Sequence, residues 1–245
     1  MKKFAVTTFV VIMFTFLYSC KKVSETITSA SVTDYYPLQT GKTYLYRLDS
    51  TIIAPFGTAL IVKSYQAKDS IESTFADNLG RQSFRIFRYT RDTLATQPWR
   101  FAATYVATPT DQTLEYVDNN LRFVKLHTPI KEGYTWPAHT FINTSVDPLK
   151  FLMGWNYEYQ NVGQSYTVFN KTYDSTLTVL QKDETLPQTF NKDVYNEKSL
   201  GTEVYAKGIG LIYKEFLHYT WQPPNPTPGF EDGSYGVKLR LISHN

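Results

Sequence analysis

Cysteine is nearly missing from this chain: Cys20 is its only one in 245 residues. A disulfide within the chain is thereby excluded, and the fold must be held by its core. Histidine is scarce as well, and His127, His139, His218 and His244 stand at no metal-ligand spacing, so neither a metal site nor a cofactor is expected. A Gly-x-Ser-x-Gly elbow is absent, since Gly163-Gln164-Ser165 lacks the second glycine. Gly208-Ile209-Gly210 has no third glycine and strand-like flanks, which excludes a dinucleotide loop. No catalytic residue is assigned. An excess of one charge is also lacking. Of 25 basic groups, Lys2 and Lys3 fall in a segment read below as cleaved, leaving 23 against 22 acidic ones. Nucleic acid is therefore not an expected partner. With 42% hydrophobic and 19% charged residues, disorder over most of the length is excluded too.

What is present begins with an address. Lys2 and Lys3 precede an apolar run from Phe4 to Tyr18, too short to span a bilayer comfortably. The run ends at Leu17-Tyr18-Ser19-Cys20, followed by Lys21 and Lys22. This resembles the bacterial lipobox, which implies a signal peptide over residues 1–19 and a diacylated Cys20 that starts the mature chain. A multi-chain anchor of that kind holds far more firmly than one acyl chain. Residues 20–33, rich in Ser and Thr, suit a tether. Residues 34–245 remain for one domain.

That domain shows no apolar stripe of helical period, whereas alternation with period two recurs. Tyr44, Tyr46 and Leu48 alternate with polar neighbours, as do Tyr173, Ser175, Leu177 and Val179, and again Val237, Leu239 and Leu241. Aromatic residues make up 16%, with 19 Tyr and 16 Phe, which favours strands. Asp118-Asn119-Asn120 predicts a tight hairpin, and Lys207-Gly208 with Gly210 a second. The proline-rich stretch 223–229 reads as a loop before the last strand. No repeat of solenoid or propeller length is found. The expected fold is all-β: a single antiparallel domain of about ten strands, an open or closed barrel, with a β-sandwich as the alternative.

Trp99, Trp136, Trp155 and Trp221 each neighbour Pro, Gly or Gln. Two readings stand for them: exposed platforms contacting a ligand such as a sugar, or core. Asp183-Glu184 and Glu231-Asp232 read as solvated loop pairs. Four Asp-Ser/Thr triplets place acceptors at Ser50, Ser70, Thr93 and Ser175. They resemble the O-glycosylation motif of Bacteroidota; equally, such pairs begin strands after turns. Ser175 shares the alternation of Leu177 and Val179, which predicts an inner position for it.

Three segments carry a family resemblance. Residues 34–47, with Pro37-Leu38-Gln39-Thr40-Gly41, look like the opening of uncharacterised Bacteroidota outer-membrane lipoproteins, and residues 205–215 are similar to their closing hairpin. Pro129-Ile130-Lys131-Glu132-Gly133-Tyr134-Thr135-Trp136 repeats the opening form. The resemblance implies a β-barrel anchored by lipid to the outer membrane, on either face, and carries no activity. Two functions follow as expectations: a non-catalytic envelope lipoprotein binding an apolar ligand, glycan or envelope protein, or a lipid-anchored hydrolase with an unusual carboxylate site.

Overall fold

The computed structural model describes residues 30–245. Cys20, the signal-peptide reading and most of the tether lie outside the described residues. Within them the chain is all-β, with thirteen strands where about ten were expected. The first six are β1 (Thr43–Ile53), β2 (Leu60–Ala76), β3 (Gln82–Arg91), β4 (Arg100–Pro109), β5 (Thr113–Asp118) and β6 (Leu121–His127). They are followed by β7 (Thr135–Pro137), β8 (Asn156–Val168), β9 (Lys171–Leu186), β10 (Asn196–Ala206), β11 (Gly210–Gln222), β12 (Gly229–Phe230) and β13 (Tyr235–His244). All belong to one antiparallel sheet in the order β6-β5-β4-β3-β2-β1-β13-β11-β10-β9-β8-β7, with β12 beside β11. The sheet curls into a nearly closed barrel, so the sandwich alternative falls.

The predicted hairpins form for the predicted reasons. Asn119 and Asn120 both take positive φ between paired Asp118 and Leu121, the conformation a two-residue hairpin needs. Gly208 and Gly210, at φ +76° and +118°, turn β10 into β11. The two Pro-apolar-x-x-Gly segments make the same turn twice. Gly41 donates to the Ile71 carbonyl at 2.8 Å and the Ile71 N–H returns a bond to Lys42 at 2.9 Å; Gly133 and Tyr159 repeat this at 2.8 Å, with Tyr159 N–H on Tyr134 at 3.0 Å. Each half of the barrel is thus entered by one device.

The barrel's last gap is sealed at the ends of the strand order. Val124 N–H on β6 reaches the Ala138 carbonyl just past β7 at 2.9 Å, and Trp136 Nε1 donates to the Val124 carbonyl at 2.8 Å. The Tyr159 hydroxyl both accepts from His127 N–H and donates to the His127 carbonyl. Pro137 ends β7 after three residues because it offers no donor.

One helical turn was not foreseen: α1 (Val32–Tyr35), capped by Ser31, whose Oγ accepts from Thr33 N–H while Asp34 accepts from Ser31 N–H. It plugs one end of the barrel. Val32, counted with the tether in the sequence reading, is fully buried, so the packed chain begins before Asp34.

Candidate binding cavity

Strand register puts alternate side chains of neighbouring strands into one interior. Tyr44 pairs with Asp69 and Tyr46 with Ala67, Asp69 with Arg88 and Ile71 with Ile86, Glu203 with Lys214 and Gly201 with Phe216. These inward rows carry charge at mid-height. Arg88 donates to both oxygens of Asp69 at 2.6 Å. Lys125 donates to Glu203 at 2.7 Å, and the Tyr205 hydroxyl donates to the other Glu203 oxygen at 2.6 Å. Lys214 Nζ lies 3.6 Å from the oxygen that Lys125 already occupies.

The chemistry of this layer follows from its burial. Enclosure alone would raise Glu203, but Lys125 and Lys214 override it and hold the carboxyl at about 2. Burial pulls Lys125 down while Glu203 opposes it. Burial also works against the Arg88 charge, yet Asp69 keeps that guanidinium far above its ordinary value. Around them the phenols of Tyr36, Tyr46, Tyr116 and Tyr205 are pushed up by burial and remain neutral.

Below the charged layer, toward α1, Tyr44, Tyr46, Ile71, Leu114 and Tyr205 are buried, and between the charged groups and Tyr46, Leu114 and Tyr205 a space of only about 30 Å³ remains. Above it opens a cavity of about 390 Å³. Its walls are aromatic: Phe123, Phe151, Trp155, Tyr157, Phe216 and Tyr235. Lys125, Lys214 and Arg88 form its floor, and Asp118 and Asn119 of the β5–β6 hairpin complete the lining, Asp118 also bordering the charged layer. The size falls near the lower end of pockets that hold small molecules, roughly 300–1,000 Å³.

Residues 138–155, between β7 and β8, lie over this end. A 3₁₀ turn at Lys150–Leu152 brings Leu149, Phe151 and Leu152 into the cavity lining. His139 Nδ1 donates to the Leu152 carbonyl at 3.1 Å, and Phe151 stacks on His218 with ring centres 4.0 Å apart. Burial lowers His139 to about 4.

The structure does not bring the four tryptophans together. Trp136 seals the barrel seam, and Trp221 is buried against Phe230 with its indole N–H on the Lys192 carbonyl at 3.0 Å. Both are core rather than platforms. Trp99 lies on the outer side between Arg91 and Lys68, whose charged groups sit 4.2 and 5.1 Å from its ring centre. Trp155 alone of the four lines the cavity, and it too is buried. Asp183-Glu184 is exposed as expected, though on β9 rather than a loop.

The acceptor triplets at Ser50 and Ser70 lie within strands rather than at the strand starts after turns. Ser50 and Ser70 are strand residues, paired on both sides within β1 and β2. Asp49 and Asp69 before them are held by Arg240 and Arg88. Thr93 is on a true turn, where Asp92 accepts from Thr96 and Gln97 N–H. Ser175 is exposed, not inner. Asp174 and Ser175 together face the single Ser165, and Ser175 takes φ +55°; that bulge breaks the alternation.

Comparison with known proteins adds little to this geometry. No family model matches the chain, and no curated protein matches it. Among solved structures the chain is similar to a Bacteroides fragilis protein described as a "putative exported protein with YmcC-like fold". The two share 11% identity over 84% of this chain and 97% of that one, with a TM-score of 0.30, a superposition too loose to carry site residues across.

Proposed function

We propose that the protein is a non-catalytic envelope lipoprotein, anchored through Cys20 to the outer membrane, that binds a small apolar-bodied ligand inside its barrel. The observation that carries this reading is the aromatic-walled cavity of about 390 Å³ above the charged layer. A hydrolase of the carboxylate type needs one carboxyl kept protonated near neutral pH. Glu203, at about 2, is driven the opposite way by its lysines, which favours binding over that alternative.

Native mass spectrometry of the full chain taken from its own envelope tests the reading. A non-covalent small molecule is expected on the protein, displaced when Val237, on the cavity wall, is replaced by Trp. A folded protein that carries no such mass before or after delipidation would end it. The intact mass should also include acyl chains that vanish in Cys20→Ala. Sugar, if attached, is expected at Thr93 and Ser175, on the turn and the bulge, ahead of Ser50 and Ser70 within the sheet.

A further inference from the structure

The cavity's aromatic walls recognise bulk and flatness; its floor recognises charge. Glu203 accepts from Lys125 on one oxygen and from Tyr205 on the other. Lys214 is ion-paired to Glu203 at 3.6 Å but beyond hydrogen-bond reach of it, and its half-buried ammonium, with three donors, also faces the cavity. Around the floor three cations, Arg88, Lys125 and Lys214, stand among three carboxylates, Asp69, Glu203 and Asp118, and of the three cations Lys214 makes the loosest ion pair. A second group points the same way. Gln181 on β9 is only 3% exposed and lines the cavity, yet its Nε2 has no hydrogen-bond partner. A buried amide donor without an acceptor is costly unless something else supplies one. Gly201 opposite leaves the room this side chain occupies: a Cβ there would stand 2.8 Å from both Gln181 Cβ and Oε1.

We infer that the deep end of the cavity is a site for a single negative group, the carboxylate of a small organic acid whose flat apolar body lies against Trp155, Phe216 and Tyr235. This rests on the binding function proposed above and adds its substrate class. Lys214 supplies the charge-assisted contact and Gln181 the neutral one. Asp118, which lines the cavity and borders the charged layer, disfavours a second negative charge, so a monoanion is preferred to a dianion.

The test uses the full chain in lipid nanodiscs, with empty discs as blank, titrated with 2-naphthoate and with its uncharged isostere 2-naphthamide. Naphthoate is expected to bind at least about tenfold more tightly, the scale of one charge-assisted contact. Lys214→Met should bring naphthoate down to the amide's affinity without changing the amide, and Lys214→Arg should restore the preference. An unchanged melting temperature in both variants guards against misfolding. Equal affinities of the two probes, or a preference that survives Lys214→Met, overturns the anion site and leaves the apolar cavity standing. Failure of both probes to bind overturns the cavity's binding role as well.

Discussion

The two ends of the barrel solve the same packing problem in opposite ways. Toward α1 the inward rows hold Tyr44, Tyr46, Ile71, Leu114 and Tyr205, all buried, and only about 30 Å³ is left between the charged groups and Tyr46, Leu114 and Tyr205. Toward the β5–β6 hairpin equally large rings, Phe216, Tyr235 and Trp155, stand back around a cavity. Aromatic content therefore does not decide which end is filled. The difference lies in what covers each end: a capped helical turn with buried Val32 and Tyr35 drives into one, whereas residues 138–155 lie across the other. The charged layer divides the two.

The largest effect is expected from breaking that divide. Glu203→Ala strands Lys125 as a buried cation and takes the acceptor from Tyr205, which should cost about 3–5 kcal/mol in urea unfolding. Lys214→Ala, which removes an ion pair but no hydrogen bond and leaves Lys125 and Tyr205 on the carboxylate, should cost clearly less. Comparable losses would mean that both lysines hold the layer and that Lys214 is not spare. Next comes the packing contrast itself. Leu114→Ala at the closed end should lose about 2–5 kcal/mol. Phe216→Ala, facing space on one side, should lose clearly less despite the larger deletion, because fewer contacts are forfeited. Equal losses would erase the distinction between a filled and an open end.

How much of this was legible in the sequence follows the range of each interaction. Hairpins at Asn119-Asn120 and Gly208 are local, since positive φ is a property of those residues, and both were readable. So was the all-β class, from the two-residue period of Tyr44, Tyr46 and Leu48. The cavity was not. Asp69 and Arg88 sit at inward positions of β2 and β3 between Ala67, Ile71 and Ile86, a pattern that signals a buried pair only once the register is known. Lys125 falls at a point where β5 and β6 slip register, and Ser175 on a bulge; one extra residue reverses every inward assignment beyond it. Trp155 fits a strand-end position beside its glycine, directly before β8, but that it lines the cavity depends on the segment lying over the barrel and was not readable from its neighbours.

Acid sharpens the comparison, because the covered mouth and the dividing layer titrate in different windows. His139 at the covered mouth is lowered by burial to about 4 from an ordinary 6.5. The folded state therefore favours its neutral form, stability is complete above pH 6.5, and it is lost as pH falls toward 4. The loss amounts to at most about 3 kcal/mol. Glu203 in the dividing layer is lowered to about 2 from 4.5, so its contribution stays whole until pH 4.5 and disappears only between there and 2. His139→Asn, which can still donate to the Leu152 carbonyl, should flatten the melting temperature between pH 6.5 and 4 and leave the lower window unchanged. A slope that persists in the first window would shift the acid sensitivity from His139 to another group, His218 first, whose imidazole is also lowered by burial and stacks on Phe151.

The smallest expected effect separates strain from function. Gly208 at the closed end and Gly233 on the cavity lining have φ of +76° and +97°, and a Cβ on either would meet nothing within 4 Å. Substitution by Ala therefore costs backbone strain alone, about 1 kcal/mol at each site, and the two variants should unfold at nearly the same denaturant concentration. Their consequences for ligand should differ. Gly233→Ala stiffens the turn at the mouth and should shift 2-naphthoate affinity, while Gly208→Ala, across the filled end, should leave it unchanged. If Gly208→Ala weakened naphthoate as much as Gly233→Ala did, the closed end would be coupled to the cavity, and the charged layer would not be the partition it is taken to be.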